Sequence, residues 1–312
     1  MNMAGIIWLT SYPKSGNTWF RVFLTNLRGE EDGPAQINRL NNTPIASARG
    51  VFDDEVGIEA SDLTFDEIDR LRPEIYAHLA EQAEETPFMK VHDAYTSNDK
   101  NIPLFPKEAT VAAIYFIRNP LDVVISFADH SGWDYDTAIS RMADKSFAFC
   151  GKPKRLHNQL QQKLLSWSSH VKSWTEQTSF PVCVLRFEDM KQKPVEAFEK
   201  AVRFSGLEYG REEILKALEW SSFEELQRQE KENGFKEKSP ISKTFFRKGK
   251  VGSWHEELTV KQARQIIYDH REVMRRFGYL GPNDEVFFNG NHPAENSQLI
   301  AWVASVETLG ID

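Results

Sequence analysis

A chain of 312 residues with 40% hydrophobic positions is long enough for one large α/β domain with a single core, and two small domains are the second expectation. Its 38 basic and 46 acidic residues leave a formal net charge of −8, which argues against a nucleic-acid coat or a membrane-surface binder, so any anionic ligand must be met by local cations. Two cysteines, Cys150 and Cys183, make no disulfide framework, no charged-then-apolar leader opens the sequence, and no apolar run nears the roughly 20 residues of a spanning helix; a reducing, cytoplasmic setting without membrane contact is expected.

The first element is the apolar run from Ile6 to Thr10, which reads as a buried strand. It leads into Lys14-Ser15-Gly16-Asn17-Thr18, after which Phe20, Phe23, Leu24 and Leu27 recur at i, i+3, i+4 and i+7, with Gly29 as a helix cap. Strand, loop and helix in this order put the N–H groups of Gly16, Asn17 and Thr18 at a helix N-terminus, where orphan donors and the helix dipole favour an anion. Gly16 lets the backbone come close, Thr18 adds a hydroxyl and Lys14 a full charge. The lysine precedes the glycine, whereas in the nucleoside-triphosphatase loop it follows the last one.

Residues 30 to 86 are polar and irregular in pattern, an insertion of the kind that carries lids. A second strand, Pro87 to Val91, delivers Lys90 and His92 to one side. A third, Val111 to Ile117, ends at Arg118; Pro120 and Asp122 then start a helix that carries Ser126 one turn beyond Asp122, so a guanidinium and a hydroxyl can meet one phosphate. Residues 129 to 157 are again irregular, and their Trp133, Tyr135, Phe147 and Phe149 either line an apolar acceptor pocket or pack on the core.

Further along, Leu160, Leu164, Trp167, Val171 and Trp174 mark a buried helical face, and Val182 to Phe187 is a fourth strand. Ser221, Ser222 and Phe223 precede a charged stretch, 228 to 243, that reads as mobile. Arg247, Lys248 and Gly249, with Gly252 three residues on, combine two cations with a backbone open to close approach. In the tail, Leu299, Val303 and Val306 stand at i, i+4 and i+7 beside Ile300, a short amphipathic helix that either packs on its own core or meets a partner. Strands alternating with helices predict an α/β fold, a central parallel sheet flanked by α-helices on both faces, with ligands beyond the carboxyl ends of the strands. Residues 1–280 form the expected domain, and 281–312 an extension, helical and packed on the core.

Taken together and in this order, from about residue 5 to 280, these segments resemble the cytosolic-type sulfotransferases, whose fold is P-loop-like. The run Tyr12-Pro13-Lys14-Ser15-Gly16-Asn17-Thr18-Trp19 is similar to the family's 5′-phosphosulfate loop, and "YFIRNPLDVVISFADH" to the segment whose Arg and Ser hold a 3′-phosphate, here Arg118 and Ser126. The stretch Phe246-Arg247-Lys248-Gly249 resembles the closing element on the same phosphate, and Ser221-Ser222-Phe223 the segment whose ring stacks on adenine against Trp19. Lys90-x-His92 is similar to the Lys-x-His that ends a strand in the active site.

The resemblance implies 3′-phosphoadenosine 5′-phosphosulfate (PAPS) as donor, 3′-phosphoadenosine 5′-phosphate (PAP) as product and no metal. It implies in-line transfer with His92 as general base, Lys14 and Lys90 stabilising the bridging oxygen, and Ser126 restraining Lys14 until an acceptor arrives. "LSWSSHVKSWTE" is similar to bacterial-looking members that modify natural products, peptides or lipids, so the expected acceptor is a hydroxyl, before an amine, on a small molecule, natural product, peptide or glycan.

Asn17, Phe187 and Ser253 depart from the family's Thr, Tyr and acidic residue. His255, Thr259-Val260 and Arg264 stand where its dimer motif has Lys, Thr-Val and Glu, so a homodimer through that charged motif is not expected. Two other readings are a P-loop kinase, which requires a later Lys and acidic residues for Mg²⁺, and a non-catalytic nucleotide-binding module, which requires no His92.

Overall fold

All six residues of the first strand, β1 (Ile6–Ser11), are buried, because the strand pairs in parallel on both edges and is covered on both faces. The structure, a computed structural model, describes residues 5–29, 32–152, 155–282 and 284–286. In chain order β1 is followed by α1 (Asn17–Arg28), α2 (Arg49–Val56), α3 (Phe65–Gln82), β2 (Phe88–Val91), β3 (Thr110–Ile117), α4 (Pro120–Ser131), α5 (Tyr135–Ala143), β4 (Ala148–Phe149) and β5 (Gln162–Lys163). Then come α6 (Trp167–Thr175), β6 (Val182–Arg186), α7 (Phe187–Gln192), α8 (Pro194–Phe204), α9 (Arg211–Trp220), α10 (Phe223–Asn233), α11 (Trp254–Glu257) and α12 (Val260–Arg276).

The main sheet has the order β2-β1-β3-β6, parallel throughout; β4 and β5 form a separate antiparallel pair. Side chains alternate across β1. Ile6 and Trp8 join Tyr115, Ile117 and the residues of α4, α6 and α12, while Ile7 and Leu9 join Phe20, Phe23, Ile114, Phe116 and α8 and α9. Two layers of helices on one parallel sheet explain why the strands read as unbroken apolar runs, and the expected fold class is the one observed. Among the described residues no helix is long and apolar enough to cross a membrane.

Three stretches differ from the sequence reading. The polar region 30–86 contains α2 and the 18-residue α3, which opens with a capping box between Thr64 and Glu67. Its periodicity is disguised because the buried face of α3 carries Asp69 and Arg72 beside Ile68, Ile75 and Tyr76. Arg72 is buried with Asp93 at 3.0 and 3.1 Å and Asp69 at 3.5 Å. Second, Leu160 and Leu164 are buried but flank β5; the helix starts only at Trp167, capped by Ser166. Third, the charged stretch 228–243 opens inside α10, and beyond it Phe235 is buried and Glu237 is ion-paired. Residues 129–157 include α5. The expected tail helix lies outside the described residues.

A buried guanidinium that loses half its counter-charge is costly. Asp93→Ala is expected to destabilise the protein by about 3 kcal/mol, seen as a lower urea midpoint; a change within about 0.5 kcal/mol refutes the structural role of this pair.

Candidate active site

The loop after β1 turns sharply enough to need special backbone. Lys14 has φ of 69° and Gly16 of 103°, and a Cβ at Gly16 would stand 2.9 Å from the Phe187 ring. Gly16 caps α1 without a side-chain hydrogen bond, so the first-turn N–H groups are not claimed by a cap. Asn17 explains its own departure from the expected Thr: its amide donates to the Leu9 carbonyl at 2.7 Å and pins the helix start to the strand. Ser15 Oγ, Asn17 Oδ1 and Arg118 Nε are buried without a hydrogen-bond partner. The Ser15 hydroxyl and the Arg118 Nε–H are donors, and such unsatisfied buried donors around an open helix N-terminus fit a polyanionic, hydrogen-bonding ligand; Asn17 Oδ1 is an acceptor and does not contribute to this.

His92 stands just past β2, beside the end of β1. Its Nδ1 lies 2.9 Å from the Ser11 carbonyl. A carbonyl only accepts, so Nδ1 carries the proton and Nε2 is left as the acceptor nitrogen. Burial, with Lys90 nearby, holds the imidazole well below the usual histidine range, which keeps it neutral. The His92 carbonyl accepts from His170 Nε2 at 3.1 Å, and the Tyr115 hydroxyl donates to His170 Nδ1 at 2.8 Å. Lys14 lies 3.8 Å from the centroid of Phe245; burial, together with Arg118 and Lys90, holds its ammonium down to about 7. Lys90 Nζ donates to Glu237 Oε2 at 2.8 Å, and Arg21 donates to Glu237 Oε1 at 2.7 Å. Burial opposes the charge of Glu237, yet Lys90 and Arg21 bring its pKa to about 2.

Arg118 gathers three segments. It donates to the Lys14 carbonyl at 3.2 Å, to Ser126 Oγ at 3.4 Å and to the Lys250 carbonyl at 3.1 Å, with its guanidinium 4.4 Å from the Phe187 ring centroid. Phe187, a second of the three departures, is thus the apolar plate between Arg118 and Gly16. The 247–253 segment is anchored by the buried Asp122 carboxylate, which accepts from the Gly252 N–H at 2.7 Å, Ser253 Oγ at 3.2 Å and the Trp254 N–H at 3.1 Å. Glu230 accepts the N–H groups of Phe245 and Phe246 at 2.6 and 2.9 Å. Gly249 has φ of 56°, and a Cβ there would run into the Phe223 ring at 2.6 Å.

Fifteen of the sixteen site residues read from the sequence line one cavity of about 710 Å³: Lys14, Ser15, Gly16, Asn17, Thr18, Trp19, Lys90, His92, Arg118, Ser126, Phe223, Phe246, Arg247, Lys248 and Gly249. Ser221 is the exception. It is buried outside the cavity wall, its hydroxyl donates to the Ala217 carbonyl at 2.5 Å, and its own carbonyl accepts from Trp19 Nε1 at 2.9 Å, so it orients the indole. Trp19 and Phe223 face a common cation: Lys191 Nζ is 5.3 and 5.4 Å from the two ring centroids.

The aromatic insertion mostly packs on the core. Phe147 and Trp133 pack against Phe127, the Tyr135 hydroxyl donates to Glu257, and only Phe149 of the four reaches the cavity. Sequence reading passed over Glu237, Lys191, His130, Asn41 and Gln159, all in the cavity wall. Glu237 and Lys191 lie in charged segments whose solvent-like composition hides them; only the fold turns them inward. His130, four residues after Ser126, was within reach of the helical period. Burial, followed by Lys14 and Lys90, holds it down at about 4.

Comparison with known proteins agrees over most of the chain. The family model described as "Sulfotransferase domain" matches residues 5–278. A 3-beta-hydroxysteroid sulfotransferase of Cavia porcellus is 31% identical over 195 residues, 58% of this chain and 62% of that protein. Human Sulfotransferase 2A1 is 26% identical over 85% of this chain and 83% of its own length, and an amine sulfotransferase of Oryctolagus cuniculus 24% over 93% and 87%. Among solved structures, mouse sulfotransferase SULT7A1 complexed with PAP superposes with a TM-score of 0.56 at 19% identity, covering 98% of this chain and 89% of that one. A retinol dehydratase in complex with androsterone and inactive cofactor PAP gives 0.55 at 17%, covering 91% and 84%.

Because three hydrogen bonds from the 252–254 backbone and Ser253 end on one buried carboxylate, Asp122→Ala should release the whole segment. A loss of about 2–4 kcal/mol in stability and new protease cleavage between residues 245 and 255 are expected; an unchanged cleavage pattern would show that the segment holds itself.

Proposed function

This chain belongs to the sulfotransferase family, and we propose that it moves the sulfuryl group of PAPS to a hydroxyl of a small-molecule acceptor, with His92 as general base and PAP as product. One observation carries the reading: the Nδ1 contact to the Ser11 carbonyl sets the tautomer of a His92 that burial keeps neutral, with Nε2 as acceptor, in the same cavity as Lys14 and an open helix N-terminus. The fit to the donor is supported by the Ser15 hydroxyl and Arg118 Nε, buried hydrogen-bond donors without partners that phosphate oxygens would satisfy.

In this reading the N–H groups of Gly16, Asn17 and Thr18 hold the 5′-phosphate, Arg118, Ser126, Arg247 and Lys248 the 3′-phosphate, and Trp19 and Phe223 the adenine. The bound donor supplies a sulfuryl group activated by its phosphosulfate bridge. His92 Nε2 takes the acceptor's proton and later gives it to solvent. Lys14, on the strained turn, puts its ammonium at the bridging oxygen, where charge develops. Lys90 supports it less than its position implies, because Glu237 already neutralises it. Relatives named for a hydroxysteroid and for amines make a small acceptor the natural class. Asn41, Pro44, Ile45, His130, Phe149 and Gln159 form a mixed polar and apolar wall for it.

The protonation states give a pH test with a definite sign. His92 must be unprotonated to act, and its pKa is lowered, so transfer at saturating substrates should persist at pH 6.5 and fall only in more acidic buffer. An acidic limb centred at or above the ordinary histidine value would contradict this. Lys14, held near 7 in the free protein, must gain charge beside an anionic donor. Titrating PAP at pH 8 in buffers of different ionisation enthalpy should reveal proton uptake.

His92→Ala is expected to cut turnover by about 10² to 10⁴ while PAP affinity stays within about twofold. A variant that loses PAP affinity but keeps its saturated rate assigns His92 a structural role. For the donor site, PAP should bind at least roughly tenfold more tightly than adenosine 5′-phosphosulfate, and calorimetry giving equal affinities would remove the 3′-phosphate assignment.

A further inference from the structure

The cations of the site are not equally available. Among the described residues no carboxylate forms an ion pair with Lys14 or Arg118; Arg118 is held by the carbonyls of Lys14 and Lys250. Arg247 and Lys248 differ. Arg247 Nη2 stands 3.3 Å and Lys248 Nζ 2.8 Å from the same oxygen, Oε1 of Glu257. The other oxygen of that carboxylate accepts the Tyr135 hydroxyl at 2.5 Å. Glu257 does not line the cavity, whereas Arg247 and Lys248 do, so the two cations lie between a fixed anion and the ligand space.

The anion is fixed because its backbone is. Glu257 ends α11, whose first residue, Trp254, is buried with its N–H on Asp122. Burial works against the charge of Glu257, but Lys248, Tyr135 and Arg247 hold its carboxyl below the ordinary range, so it is ionised throughout the neutral region. The preceding Glu256 is different: exposed, with its carboxylate 4.0 Å from Lys248.

We propose that Glu257 is an internal counter-anion that competes with a ligand's 3′-phosphate for Arg247 and Lys248, weakening retention of 3′-phosphorylated nucleotides and so speeding the departure of PAP. The inference rests on the reading above that these two cations hold the 3′-phosphate. A fixed carboxylate on the far side of both lowers the positive potential that the phosphate meets, and each contact the phosphate makes is partly exchanged for one given up to Glu257.

Isothermal titration of PAP and of adenosine 5′-phosphosulfate into wild type, Glu257→Gln, Glu256→Gln and Tyr135→Phe tests this. Glu257→Gln should bind PAP roughly three- to tenfold more tightly, with slower dissociation, and leave the affinity for adenosine 5′-phosphosulfate within about twofold. Glu256→Gln removes a charge from the same turn and should change PAP affinity less than about twofold. Tyr135→Phe removes a donor from the Glu257 carboxylate while both cations stay, so the carboxylate leans more on Arg247 and Lys248 and PAP affinity should shift the opposite way, weakening by a smaller factor. Weaker PAP binding in Glu257→Gln would make Glu257 a positioning residue and overturn the proposal, as would equal tightening for both nucleotides or equal effects of Glu256→Gln and Glu257→Gln. If wild type itself fails to prefer PAP over adenosine 5′-phosphosulfate, the assignment of the 3′-phosphate site fails first.

Discussion

Positive charge crowded into one end of a buried sheet is the condition on which the rest of the site depends. Lys14, Lys90 and Arg118 converge on one cavity, and burial, followed by the like charges of Arg118 and Lys90, holds the Lys14 ammonium near 7. Like charges in a low-dielectric pocket are tolerable only with compensation. The protein compensates some of them internally, through Glu237 on Lys90 and Arg21 and through Glu257 on Arg247 and Lys248. Lys14 and Arg118 are left for a ligand.

Rigid backbone anchors make that arrangement possible. Asn17 ties α1 to β1, Asp122 ties the 252–254 segment to α4, and Glu188 accepts from the Asn119 N–H and the Tyr279 hydroxyl, both at 3.0 Å. Each uses a buried polar side chain to satisfy groups at an element's end, Asn17 by donating to a backbone carbonyl and Asp122 and Glu188 by accepting from backbone and hydroxyl donors. A cluster of repelling cations needs such supports, because without them the side chains would swing toward water.

His92 shows the same economy. Its ring is oriented by one carbonyl, its own carbonyl is held by His170, and His170 in turn receives the Tyr115 hydroxyl. The chain of contacts runs from the sheet core to the cavity without a charged member, so it sets geometry and tautomer while leaving basicity to burial and to Lys90. This differs from sites in which a carboxylate raises the basicity of a histidine, and it is consistent with chemistry whose main demand is positioning.

Much of this was legible in the sequence, for a physical reason. Strands buried on both faces must be apolar throughout, so the four strands of the main sheet could be read directly. The loop after the first strand is local, its geometry set by adjacent residues, so spacing points to it as a candidate anion site, whereas the Lys90-x-His92 pair is singled out by its resemblance to the family's motif. Tertiary structure alone decided where long-range charge and packing took over. Arg72 lies on the buried face of α3 because Asp93, from another segment, neutralises it, and this masked the helix. Ser221 orients Trp19 instead of facing a ligand, and three of the four insertion aromatics pack away from the cavity. Glu237, from a segment that reads as solvated loop, completes an ion pair with Lys90, which lies 147 positions away. A sequence displays the residues that an element needs for itself; which distant charge a folded chain brings beside them depends on the packing of the whole.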